Sequence, residues 1–132
     1  MRLLTLFILV FSLALPATVQ AADLSGIWQR SGQDSGQSSK GHVRIAFAPC
    51  AGGICGKIVW LDPATKSKAR IGDRIFYDLA RNGAKGWKGK AFSPKENKTY
   101  TATLVMEGGT LSSKECLFGD QICRSETWIR VN

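Results

Sequence analysis

The sequence lacks most of the residue patterns through which small enzymes do chemistry. It has a single histidine, His42, and it has no G-x-S-x-G turn, H-E-x-x-H helix or phosphate-binding glycine loop. A lone histidine at the start of a strand is typical of a structural or solvated residue, so we expect no catalytic residue, no metal site and no other cofactor. The carboxylates of Asp62, Asp73, Asp78 and Glu126 can pair across a cleft, but nothing in their spacing requires it. An unrecognised hydrolase therefore remains a hypothesis without positive support.

Long apolar runs are also scarce, since only one occurs, at the N-terminus. Arg2 precedes an apolar segment over residues 3–15, and Val-Gln-Ala at 19–21 fits the small-x-small rule for cleavage. The alternative is a membrane anchor, but the run is short for a span of roughly 20 residues and no basic stop-transfer cluster follows it. The sequence therefore predicts a cleaved signal peptide over residues 1–21. It also predicts one domain over residues 22–132, exported to the periplasm or the cell exterior, with no transmembrane segment in the mature chain.

Acidic residues are few, with 10 Asp and Glu against 18 Lys and Arg, which gives a formal net charge of +8. The excess is concentrated in residues 66–98, where ten basic residues face three acidic ones. Export makes nucleic acid an improbable partner, so an anionic envelope surface or an acidic ligand fits this charge better. The alternative is a solvated basic face that confers solubility.

The four cysteines lack the C-x-x-C spacing of redox pairs and zinc knuckles, since four residues separate Cys50 from Cys55 and six separate Cys116 from Cys123. An even number of cysteines in a small exported domain is typical of a disulfide framework. Three pairings are possible. We favour the two local ones because each pair flanks a glycine-containing turn between apolar stretches. Pairing of Cys50 with Cys123 would constrain the unfolded chain more, but it needs the two turns to meet.

No stretch of the chain has a sustained helical period, and strand patterns dominate instead. Val43, Ile45 and Phe47 alternate with other residues, as side chains on one face of a strand do. A run without apolar residues, 31–41, predicts a mobile loop. Segment 74–80 fits either a strand or one helical turn. Short strands joined by hairpin turns indicate an antiparallel barrel or sandwich, and an up-and-down barrel also removes exposed edges. The predicted strands are 25–30, 42–48, 56–62, 74–80, 87–92, 98–106, 110–116 and 122–131.

Two sets of motifs carry a resemblance. Gly26-Ile27-Trp28 resembles the G-x-W signature of lipocalin-like barrels, in which the Trp plugs one end and a basic residue of the last strand lies across it. That resemblance offers Arg124 or Arg130 for this role. The chain also resembles an exported bacterial family known as domain of unknown function 2147, which implies an eight-stranded lipocalin-like β-barrel with no assigned activity. The matching segments are GIW at 26–28, PCAGGICGKIVWL at 49–61, WKGKAFSPKENKTYTATL at 87–104 and CRSETWIRV at 123–131.

Aromatic and basic side chains suggest two uses for such a barrel. In the first hypothesis, the interior binds a small amphipathic or anionic molecule without catalysis, and loop 31–41 covers the mouth as a lid. In the second, the interior is filled and the protein acts on the envelope through its basic 66–98 surface. The candidate ligand-binding residues are four aromatic and three basic side chains: Trp28, Trp60, Tyr100, Trp128, Arg124, Arg44 and Arg130.

Overall fold

The described residues form an eight-stranded β-barrel without helices. The computed structural model describes residues 10–16, 22–31, 42–63 and 68–132. All neighbouring strands are antiparallel and follow sequence order, and the barrel closes because the first strand pairs with the last. The predicted up-and-down barrel is confirmed, and segment 74–80 is a strand. The strands are β1 (Gly26–Arg30), β2 (Val43–Cys50), β3 (Gly53–Leu61), β4 (Arg74–Arg81), β5 (Gly86–Ser93), β6 (Lys98–Glu107), β7 (Thr110–Leu117) and β8 (Ile122–Arg130).

Alternation along the strands places the core inside the barrel. In β2, Val43, Ile45 and Phe47 are buried and the residues between them are not. Successive side chains of a strand point to opposite faces, so this pattern gives each strand one apolar inner face. The largest buried side chains of the core are Trp28, Trp87, Trp128 and Phe76, each at most 2% exposed.

Both local disulfides are present, as predicted. Cys50 and Cys55 link β2 to β3 with their Cα atoms 5.8 Å apart, and Cys116 and Cys123 link β7 to β8 at 4.1 Å. Cys116 and Cys123 are directly opposed, whereas Cys50 lies opposite Gly53 and bridges diagonally to Cys55. β3 therefore begins three residues before its predicted start at 56. The reason is that the turn needs only residues 51 and 52, and Gly52 supplies its positive φ of 87°.

One end of the barrel is closed by the contact predicted from the G-x-W resemblance. The guanidinium of Arg130, and not that of Arg124, lies 4.3 Å from the centroid of the Trp28 ring. Gly26 makes this approach possible. Its φ is +116°, and a Cβ added there would lie 2.5 Å from the Asn132 carbonyl oxygen and 2.9 Å from Nη1 of Arg130.

The segment before β1, residues 22–25, covers this closed end, and we call it the plug. Its side chain Leu24 is 1% exposed. Each of its four carbonyl oxygens accepts a hydrogen bond from a side chain, which anchors the segment to three strands. The donors are Arg81 Nη2 to Ala22, Arg130 Nη2 to Asp23 (2.7 Å), Trp28 Nε1 to Leu24 (3.0 Å) and Arg130 Nη1 to Ser25 (2.5 Å).

Two of the sequence predictions fall largely outside the described residues. Of the predicted signal peptide, residues 10–16 are described. They have no regular secondary structure, and Val10, Phe11, Leu13 and Leu15 are 81–88% exposed. Of the predicted lid, only Ser31 is described. No helix in the described parts of the chain has the length and apolarity that a membrane crossing requires.

Candidate functional site

A cavity of about 140 Å³ opens at the end of the barrel opposite the plug, where β1, β3, β5 and β7 finish. We call this end the mouth. Apolar side chains lie on its inner side and charged side chains surround its opening. The lining residues are Arg30, Val43, Ile45, Ile58, Ala69, Ile75, Phe92, Ser93, Pro94, Lys95, Glu96, Glu115, Arg124, Glu126 and Trp128.

The inner surface of the cavity is mainly apolar. Ile45 and Ile58 are buried, and the Trp128 indole is held by a hydrogen bond from its Nε1 to the hydroxyl of Ser113 (3.0 Å). The same indole meets the Phe76 ring edge to face, with centroids 6.1 Å apart and planes at 76°. Because its one polar atom is satisfied by Ser113, Trp128 presents an apolar surface to the cavity.

Arg124 organises the charged side of the mouth. Its Nε donates to Glu115 (2.7 Å) and its Nη1 donates to Glu96 (2.6 Å). The guanidinium also lies 4.3 Å from the centroid of the Tyr100 ring, and the Tyr100 hydroxyl donates to Glu96. These bonds use Nε and Nη1, so within the described parts of the chain Nη2 has no acceptor.

The carboxylates bound to Arg124 differ in environment. The Glu115 side chain is 4% exposed, and burial raises the pKa of its carboxyl, although the hydrogen bond from Arg124 lowers it in part. Glu96 is 35% exposed, and the hydrogen bond from Tyr100 lowers the pKa of its carboxyl. Burial alone would lower the pKa of Arg124, but Glu115 and then Glu96 raise it, so this side chain stays cationic.

A second ion pair completes the rim. Arg30 Nη1 lies 3.8 Å from Glu126 Oε1, with side chains 29% and 20% exposed. Together with Lys95, the mouth holds three cations and three carboxylates, so its formal charge is zero. Charged groups that are already paired need no ligand for their own stability. A charged ligand can still replace one member of such a pair and bind to the other member.

The structure divides the seven predicted ligand-binding residues among three places. Arg124 and Trp128 line the cavity. Tyr100 does not line it, but its ring packs against the guanidinium of Arg124. Trp28 and Arg130 lie at the closed end, where they lock the plug.

The remaining two predicted residues, Arg44 and Trp60, face each other on the outer wall. Their strand register pairs them directly, and the guanidinium lies 4.9 Å from the centroid of the indole ring. Nε of Arg44 also donates to Oε1 of Gln29 (2.9 Å). Neither side chain lines the mouth cavity.

Sequence reasoning missed Arg30, Glu96 and Glu115. Two of them carried a signal in the strand period. Arg30 follows Trp28 by two residues in β1, and Glu115 follows Ser113 by two in β7, so each shares a face with a buried residue. Glu96 lies in the turn between β5 and β6, where no period applies, and only the folded chain places it beside Arg124.

One group of side chains in the described regions lies close enough together to hold a metal ion: Cys116, Asp120 and Cys123. Both sulfurs belong to a disulfide, so neither provides the thiolate that a metal needs. We assign no metal to it.

Comparison with known proteins gives one match. Residues 26–130 fit a family model described as "Uncharacterized protein conserved in bacteria (DUF2147)". Neither a curated protein nor a solved structure matches the chain.

Proposed function

Because this chain belongs to the bacterial DUF2147 family, whose description assigns no activity, we propose a function from the geometry of the mouth. We propose that the protein is an exported binding protein for a small amphipathic anion, which it holds without chemical change. The observation that carries the proposal is the cavity itself, which joins a mainly apolar inner surface to two arginines at one opening.

The size of the cavity limits the ligand. An apolar cavity of about 150 Å³ accommodates benzene, whereas sites for drug-sized molecules start near 300 Å³. A volume of about 140 Å³ therefore suits a benzene-sized apolar group, such as a phenyl ring or a short branched chain. A long-chain fatty acid exceeds this volume. We expect a small aromatic or branched-chain acid.

The rim suits the acidic group of such a ligand. Nη2 of Arg124 lies in the mouth without an acceptor among the described residues, and Arg30 lines the same opening. A carboxylate that binds there competes with the glutamates. Glu96, 35% exposed, can return to water when it is displaced, whereas Glu115, 4% exposed, cannot. We therefore expect the ligand to displace Glu96 and leave the bond between Arg124 and Glu115 intact.

Two observations support export. Both disulfides form in the structure, and disulfides persist in oxidising compartments outside the bacterial cytoplasm. The described leader residues 10–16 are exposed, so their apolar side chains add nothing to the core.

Fluorescence titration with benzoate and other small aromatic or branched acids tests the proposal. Trp128 lies on the cavity floor and Trp60 on the outer wall, so we expect Trp128→Phe to remove the signal change and Trp60→Phe to keep it. Replacement of Arg30 by Gln should weaken binding about tenfold, which corresponds to about 1.4 kcal/mol, while Arg44→Gln on the outer wall should have no effect. A panel that gives no response, or a response unaffected by Trp128→Phe and Arg30→Gln, would contradict the proposal.

A further inference from the structure

Five exposed cations lie on the outer side of strands β3, β4, β5 and β7. They are Lys57, Arg74, Lys88, Lys90 and Lys114, and we call this surface the basic wall. The strand period explains their position. Trp87 and Ala91 of β5 are buried in the core, and Lys88 and Lys90 alternate with them.

The strand register makes the basic wall continuous. Lys57 pairs with Arg74, and Tyr77 pairs with Lys90. Lys88 and Lys114 lie on either side of Thr103, so they are about 10 Å apart across three strands. Folding thus changes which charges lie together, since Lys57 and Lys114 come from outside the basic run at 66–98.

An aromatic ring lies within the basic wall. The guanidinium of Arg74 is 4.3 Å from the centroid of Tyr77, and Nζ of Lys90 is 6.0 Å from it. Tyr77 is half-buried, and its amphipathic ring suits a boundary between water and an apolar phase.

The cations of the basic wall have no carboxylate partner among the described residues. The ion pairs found among the described residues involve Arg30 and Arg124, which lie at the mouth and not in the basic wall. Asp78 is the acidic residue in β4, but its φ of 52° lies where the register between β4 and β5 shifts, and its Oδ1 lies near Gly52 in the turn between β2 and β3. An uncompensated cluster of like charges costs repulsion and favours an anionic partner.

The opposite wall shows that this charge is not a general property of the surface. On strands β8, β1 and β2, the basic side chains Arg30, Arg124 and Arg130 belong to the mouth or the closed end. Arg44 is the outward cation there, and it is already held by Gln29 and Trp60. In the described barrel the outward cations of the basic wall therefore lie on the half of the ring centred on β5, with Lys57 and Lys114 at its two edges, whereas the outer side of β8, β1 and β2 is nearly uncharged.

We propose that the basic wall binds the surface of an anionic lipid bilayer. A broad group of exposed lysines around a tyrosine, spread over the outer side of neighbouring strands, suits a surface of many phosphates. Each Lys or Arg near such a surface strengthens binding about fivefold. The mouth lies at the end of the barrel and not on this side, so a bound protein keeps its cavity accessible. This inference does not depend on a ligand in the mouth.

Sedimentation with lipid vesicles tests the inference. We expect the processed protein to bind vesicles of equal parts phosphatidylglycerol and phosphatidylcholine, to ignore pure phosphatidylcholine, and to dissociate in high salt. The variant Lys88→Gln, Lys90→Gln, Lys114→Gln should bind about 100-fold more weakly. The matched control is Lys68→Gln, Lys85→Gln, Lys98→Gln, which removes the same charge from the loops and a strand end and should change binding less than threefold.

Three results would overturn the inference. One is the absence of binding to the anionic vesicles. Another is an equal loss in both triple variants, which would show that net charge alone acts. The third is binding to a soluble polyanion such as heparin without binding to vesicles, which would assign the basic wall to a different partner. Circular dichroism of each variant confirms that the barrel is folded before binding is compared.

Discussion

At the scale of single residues, two arginines of β8 have different tasks. Arg124 and Arg130 are six positions apart, so they share the inner face of the strand but lie about 20 Å from each other. Arg124 stacks on Tyr100 at the mouth, and Arg130 stacks on Trp28 at the closed end. Period two alone predicts the shared face. The choice between the arginines depends on register, which pairs Trp28 with Arg130.

Replacement of Arg130 by Met should destabilise the barrel by about 2 kcal/mol, because two charge-assisted bonds to the plug and the contact with Trp28 are lost. Arg44→Met is the matched control. That arginine also stacks on a Trp, but it lies on the outer wall and makes one side-chain bond, so we expect a loss below about 1 kcal/mol. Urea denaturation measures both. Equal losses would show that the plug contributes nothing.

Replacement of Arg124 by Met should give a stability loss that depends on pH. A fully buried ion pair that loses one partner costs about 3–5 kcal/mol, and since Arg124 is 34% exposed we expect about 2 kcal/mol at pH 7. Burial already raises the pKa of Glu115, and removal of Arg124 raises it further. Ionisation of this carboxyl then opposes folding, so the variant loses stability as the pH rises above the ordinary Glu value of 4.5.

The loss should therefore be smaller at pH 4 than at pH 7. Adding Glu115→Gln to Arg124→Met should recover at least half of it, because the unpaired buried charge is gone. Denaturation curves at the two pH values check this. A loss of the same size at both would mean that Arg124 acts through packing and not through Glu115.

At the scale of elements, the start of β1 depends on a close approach between two segments of the chain. The G-x-W segment needs Gly26 because its φ is positive and the chain end passes close to it. Gly26→Ala should cost more than 2 kcal/mol, since the added Cβ meets backbone oxygen of Asn132. Gly109→Ala is the control, because nothing lies within 4 Å of a Cβ there and it should change stability by less than 1 kcal/mol. Thermal unfolding compares the two, and similar costs would refute the steric argument.

We expect both disulfides to stabilise the fold, but only one of them to affect ligand binding. Each closes a short loop and contributes about 2 kcal/mol in the chain-entropy model. The bridge between Cys116 and Cys123 joins the strand ends that carry Glu115 and Arg124, whereas that between Cys50 and Cys55 lies near the closed end. Replacement of both Cys116 and Cys123 by Ala should therefore lower the affinity of the mouth for its ligand, as measured by titration. The same change at 50 and 55 should lower stability alone, and an equal effect of both pairs on affinity would contradict this.

At the scale of the whole molecule, the closed end of the barrel and the export proposal both involve Ala22. The plug begins at Ala22, directly after the predicted cleavage site, and the Ala22 amide donates to the carbonyl of Ala84 (3.0 Å). Export from a bacterial host should yield a product that starts at or within a residue of Ala22, with all four cysteines oxidised. Intact mass before and after reduction measures both. A retained leader or free thiols would refute the export proposal.

From the sequence alone, seven strands, an antiparallel β fold and the two favoured local bridges could be predicted, because each depends on a period of two or on neighbours along the chain. Segment 74–80 stayed open between a strand and one helical turn, and the structure shows that it is a strand. The predicted start of β3, residue 56, was wrong by three residues, because the turn before it takes only two residues and not the whole glycine-rich segment. Tertiary structure decided the rest. It chose Arg130 for Trp28, placed Arg44 and Trp60 outside, and brought Glu96 to Arg124 across 28 positions.

The physical reason is closure. The alternation within one strand determines whether a side chain points into or out of the barrel. The position of that side chain along the barrel axis depends on the register of every strand around the ring. A site built at one height therefore exists only once the first strand has paired with the last.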